Sequence, residues 1–199
     1  MKCIDFSDLP WPDDCTCVFR PGEPSRALAW IPQTRWQWSR YADGYREGAE
    51  RVFQSWRGLS DDSLVFPIVF LYRHYTELRI KELLLAVSTL LGIDLPKDWN
   101  KKHKIDELWR HLKPLLKQAS PSEPSRDFDN VERMILEIAH RDSIATEFRY
   151  PEDKDGKRCL ADLERLDVEN FITAMRQLSA FLDGASMAIS VELDKKWVV

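Results

Sequence analysis

Apolar residues recur at spacings of three and four along most of this chain, a rhythm that predicts helices. The first run, about Trp36 to Trp56, carries Trp38, Tyr41, Tyr45, Ala49, Val52 and Trp56, with Gly58 as a stop. The second, about Leu64 to Leu91, is apolar around most of its circumference. That pattern predicts a central, well-buried helix. Pro67 fits its first turn and Gly92 its end. A third stripe, Ile105, Leu108, Trp109 and Leu112, predicts a helix from about Lys104 to Lys117, with Pro114 kinking or shortening its end. The fourth helix is expected from about Phe128 to Thr146, ending near Phe148-Arg149-Tyr150-Pro151. The fifth runs from about Val168 to Leu193. Five long helices with short joins predict an all-α, antiparallel helical bundle.

Before them the rhythm is lost. Pro10, Pro12, Pro21, Pro24 and Pro32 punctuate residues 1–35, and proline fixes φ and removes a backbone donor. Residues 1–35 therefore read as an irregular N-terminal arm, with room for short strands at Thr16–Arg20 and Ala27–Ile31. Residues 36–199 read as one helical domain, and a turn is expected at Asp155-Gly156.

Charge narrows the class of partner. A formal net charge of −4 supplies no whole-protein field for nucleic acid, so any such contact must be local. Lys97, Lys101, Lys102 and Lys104 form one basic patch, and Lys154, Lys157 and Arg158 another. The apolar stretches fall short of the roughly 20 residues of a membrane span, and Asp5 and Asp8 do not suit a signal peptide. The expectation is a cytoplasmic protein without membrane contact. Cys15 and Cys17 are too close for a zinc knuckle. Neither a His-Glu-x-x-His pattern nor a glycine-rich phosphate loop occurs. No metal and no cofactor are expected.

The chemistry concentrates in Arg73-His74-Tyr75-Thr76-Glu77-Leu78-Arg79-Ile80-Lys81. At about 100° per residue, Arg73, His74, Glu77 and Lys81 share roughly a third of the helix circumference. Ionisable groups within so apolar a helix must be paired or face a polar cavity. One reading is a local network in which Glu77 pairs with Lys81 at i,i+4. The other is an anion site, with Arg73 and Lys81 binding and His74 shuttling protons. His103 precedes the third helix as a cap candidate, and His111 should be exposed. His140 follows Arg133 by seven residues on nearly the same face. Arg149 can point back towards the second helix.

Three segments, Arg73-His74-x-x-Glu77-Leu78-x-Ile80-Lys81, His103-x-Ile105-x-x-Leu108-Trp109 and Phe148-Arg149-Tyr150-Pro151, resemble those of bacterial HEPN-like helical proteins. The likeness covers about residues 62–155, plus the fifth helix by position. It implies a small helical bundle that is a homodimer, with two copies of the fourth helix meeting in a cleft. It also implies a metal-independent ribonuclease of a bacterial defence or toxin–antitoxin system, with RNA as substrate and an antitoxin as a protein partner. The family signature is an arginine, commonly followed by a polar residue, with four to six residues before a histidine. Arg133 and His140 fit the spacing, though Met134 follows the arginine. Arg141 with Asp142 fits the start, but Thr146 stands at the histidine position and cannot act as a base near neutral pH. The resemblance thus implies Arg133, His140, His74 and Arg141 as catalytic candidates. Arg73, Glu77, Lys81, His103, Asp142 and Arg149 are the binding candidates. The alternative is a non-catalytic HEPN-like module that binds nucleotide, RNA or protein.

Overall fold

The computed structural model describes residues 12, 14, 16–19, 29, 31, 37–59, 61–122 and 124–197. The chain divides into two units, Met1–Thr34 and Arg35–Val199. Most of the first lies outside the described residues, including the proposed strand at Ala27–Ile31 apart from its positions 29 and 31. Residues 16–19 form no strand.

The second unit is all-α. Its helices are α1 (Gln37–Leu59), α2 (Val65–Leu91), α3 (Ile105–Ala119), α4 (Ser125–Arg141) and α5 (Val168–Trp197). Among the described residues no helix is long and apolar enough to cross a membrane. Contacts between α1 and α2 have nearly constant residue-number sums: Trp38 with Lys81, Tyr45 with His74, and Glu50 with Tyr72. The two helices therefore run antiparallel. So do α3 and α4, joined by Lys113–Asp129 and Lys117–Ser125. Between α2 and α5 the difference is what stays nearly constant: Tyr75 with Asp183, Glu82 with Ser186, and Leu90 with Lys196. These two run in the same sense, contrary to a fully antiparallel bundle. The long connection 142–167 carries the chain back and permits it.

As its largely apolar circumference predicts, α2 is central: it packs on α1, α3 and α5, and 16 of its residues are buried. Phe181 of α5 makes edge contacts with Trp109 of α3 and Phe128 of α4, closing the other side of the core. Gly92 ends α2 at φ 69°, the left-handed conformation glycine adopts without a Cβ penalty.

Several boundaries differ from expectation, among them the end of α5, which runs to Trp197 instead of Leu193. α1 runs to Leu59, past Gly58. α3 continues five residues beyond Pro114, with Leu116 buried as a continuation of the stripe that Ile105 begins. The largest difference is in α4, which starts at Ser125 and stops at Arg141 instead of Thr146. Asp142 explains that stop. Its Oδ1 accepts the backbone N–H groups of Thr146 and Glu147, drawing residues 142–147 into a turn that competes with helix. Phe148-Arg149-Tyr150 thus lies in a corner after the helix. The turn at Asp155-Gly156 forms as predicted: Gly156 has φ 75°, and Glu152 and Arg158 make an isolated bridge around it.

Candidate functional site

The candidate residues fall into two groups joined by one guanidinium. The first surrounds Glu77, whose side chain is 2% exposed. Lys81 Nζ donates to Glu77 Oε1 at 2.8 Å, and Arg73 Nη1 to Oε2 at 3.2 Å. His103 Nδ1 lies 3.0 Å from Oε1. The i,i+4 pairing of Glu77 with Lys81 expected from spacing is present. Burial alone would raise the Glu77 pKa, but Lys81, Arg73 and His103 together hold it below the ordinary carboxylate value. Arg73 and Lys81 are almost wholly buried and engaged with this carboxylate. His103 does not cap α3. Lys104 holds the cap position without a side-chain bond, and the His103 ring reaches across to α2.

Arg73 does more than pair with Glu77. Its Nη2 donates to the His103 carbonyl at 2.7 Å and to the Ser143 carbonyl at 3.4 Å, and its Nε to the Asp142 carbonyl at 3.2 Å. One side chain thereby ties α2 to the segment before α3 and to the corner after α4. A planar five-donor guanidinium suits this role; a lysine ammonium does not offer the same fork.

His74 sits beside this network, half-buried between two rings. Tyr45 meets it edge-on at 4.4 Å, and Phe70 stacks on it at 5.8 Å. Neither ring carries a catalytic signature in the sequence; only their i,i+4 and cross-helix placement brings them here. Arg149 points back to α2, as expected, and its guanidinium lies 5.4 Å from the Phe70 ring centre and 5.3 Å from that of Tyr150. Burial lowers the His74 pKa below 6.5. Glu77 opposes that shift, while Arg73, Lys81 and Arg149 add to it. A folded-state histidine with a lowered pKa favours folding above the unfolded value, and that contribution is lost as pH falls. The urea midpoint should therefore decline as pH drops below about 6.5, with a further decline below about 4.5 from Glu77. Comparing His74→Phe with wild type checks this. The variant should lose the upper part of the decline and keep the lower part.

The second group lines a crevice of about 480 Å³ between α4, α5 and the 142–167 connection. Arg133, His140 and Arg141 of α4 all face it, as do Asp142 and Arg73. The seven-residue spacing thus places Arg133 and His140 on one cavity. Arg141 is paired with Asp162, Nη1 to Oδ1 at 2.7 Å. Thr146, at the histidine position of the second frame, has its N–H on Asp142 and lies in the turn. His74, Lys81, His103 and Arg149 do not line this crevice; Arg73 belongs to both groups. The apolar wall was not visible in the motif: Leu163 and Leu166 come from the connection, and Phe171 and Met175 from α5.

A third polar cluster had no role in the sequence reading. Arg79, buried among α1, α2 and α5, pairs with Asp43, Glu82 and Asp183, and Tyr75 donates to Asp183 at 2.8 Å. Burial raises the Glu82 pKa even so. Its members hold three helices together.

The second unit is thus an all-α bundle with an ion network around a buried carboxylate, its His103 ring exposed, and an open, cation-rimmed crevice lined in part by the same Arg73. No protein-family model, curated protein or solved structure matches the chain.

Proposed function

We propose that this chain is a HEPN-like RNA-handling protein that cleaves RNA without a metal, and that its reaction site is the α4–α5 crevice. The observation that carries this reading is that Arg133 and His140 face the same open cavity. Both are exposed, so a phosphodiester can approach them. His140 takes the proton from a ribose 2′-hydroxyl, which attacks the adjacent phosphorus as the P–O5′ bond breaks, and the departing O5′ takes a proton from solvent water. Arg133 stabilises the negative charge that grows on the phosphoryl oxygens. Arg141 is the weaker candidate because Asp162 already holds it. The products are a 2′,3′-cyclic phosphate and a 5′-hydroxyl.

The first test is direct. Wild-type protein in excess EDTA, incubated with a single-stranded RNA, should yield fragments ending in cyclic phosphate. Intact RNA across a range of sequences and pH would sink the cleavage reading.

A second reading keeps the fold and the crevice but removes the reaction: a non-catalytic module that binds RNA or nucleotide. The Arg141–Asp162 pair and the turn at Thr146 favour it, since that frame holds neither a free arginine nor a base. RNA binding that weakens steeply with salt, without cleavage, is its signature.

A further inference from the structure

The residues that line the crevice differ sharply in exposure. Arg133 and His140 are exposed. Asp142, 2% exposed, and Arg73, 1% exposed, line it as well. Ile138, Phe148 and Phe171 add apolar surface to the same wall.

The Asp142 carboxylate is unevenly satisfied. Its Oδ1 accepts N–H groups from Thr146 at 2.8 Å and Glu147 at 3.2 Å. Its Oδ2 is buried and has no hydrogen-bond partner among the described residues. A buried carboxylate oxygen without a donor is costly, and natural folds keep such an atom where something else supplies the donor. Arg73 attracts this carboxylate through its charge but donates no hydrogen bond to it, because its hydrogen bonds go to Glu77 and to backbone carbonyls, that of Asp142 among them.

We propose that the crevice binds a nucleotide whose base carries an exocyclic amine, and that this amine donates to Asp142 Oδ2. The phosphate then lies at Arg133 and His140, and the base plane rests against the apolar wall. This arrangement rests on the RNA-handling reading and adds to it a choice of base. Adenine, cytosine and guanine carry the amine. Uracil has a carbonyl instead, and a carboxylate repels it. Acidic side chains reading the cytosine amine are an established mode of recognition. A volume of about 480 Å³ suits a ligand of this size.

Asp142 also shapes the turn, so the test begins with the wild-type protein. Titration with CMP, UMP, AMP and N6,N6-dimethyl-AMP, followed by calorimetry, should show CMP bound roughly tenfold more tightly than UMP. AMP should exceed its dimethylated form by a similar factor. Asp142→Asn then supplies the inversion. Asparagine keeps a carbonyl oxygen for Thr146 and Glu147 and presents an NH₂ where Oδ2 stood, so the preference should turn towards UMP. Equal binding within both pairs overturns the proposal, as does cleavage of RNA with no nucleotide binding; the cleavage reading survives either result. Absence of nucleotide binding together with absence of RNA cleavage and RNA binding overturns both.

Discussion

Glu77→Ala should lower the stability of this protein by about 3–5 kcal/mol, read as a shift of the urea midpoint with little change in slope. The carboxylate is 2% exposed and accepts from Lys81, Arg73 and His103. Removing it leaves two buried cations facing each other with no counter-charge between them. Such a loss costs far more than the favourable energy of the pairs themselves, because desolvation of the ions is no longer offset. Glu77→Gln should be milder, since an amide still accepts one hydrogen bond from Lys81 or Arg73. The double variant Arg73→Met/Glu77→Ala should cost less than the sum of its singles by about 1–3 kcal/mol. Strict additivity would mean that the three groups do not act as a network. Loss of stability with unchanged RNA cleavage in Glu77→Gln would assign the whole first group to architecture.

Which parts of this arrangement could be read from residues alone follows from the range of the forces involved. Helix positions were legible because burial of one face imposes a period of about 3.6 residues, and α2 announced its central place by being apolar around most of its circumference. The pairing of Glu77 with Lys81 was legible for the same reason, as an i,i+4 relation within one helix. The other partners of Glu77 and Arg73 were not. His103 and the carbonyls of Asp142 and Ser143 arrive from segments about 30 and 70 residues away, and no local pattern marks a tertiary hydrogen bond. The early end of α4 was hidden because Ile144 continues the apolar spacing. A single side-chain oxygen of Asp142, accepting two N–H groups, outweighs that pattern. The parallel course of α2 and α5 was hidden by the connection 142–167, which has no period to read. In the crevice, Arg133 and His140 were legible as one face of α4. Its opposite wall depended on where that connection and α5 come to rest.

The division between a structural network and a reaction site gives the second large effect. His140→Ala should reduce RNA cleavage by roughly 10²- to 10⁴-fold, the usual contribution of a positioned acid or base. Arg133→Ala should cost about 10²- to 10³-fold through lost charge stabilisation. Both side chains are exposed, so the melting transition should stay within about 0.5 kcal/mol of wild type. His74→Ala should do the opposite. That ring packs between Tyr45 and Phe70 and is absent from the crevice wall, so its removal should lower stability and spare cleavage per folded molecule. Arg141→Ala should fall between these cases, because its guanidinium is held by Asp162. Should His74→Ala abolish cleavage while His140→Ala remains active, the reaction would belong to the aromatic face of α2 near Arg149, and the crevice would lose its role. The two histidines lie in such different settings, one enclosed by rings and one open to solvent, that a single pair of rate and stability measurements separates them.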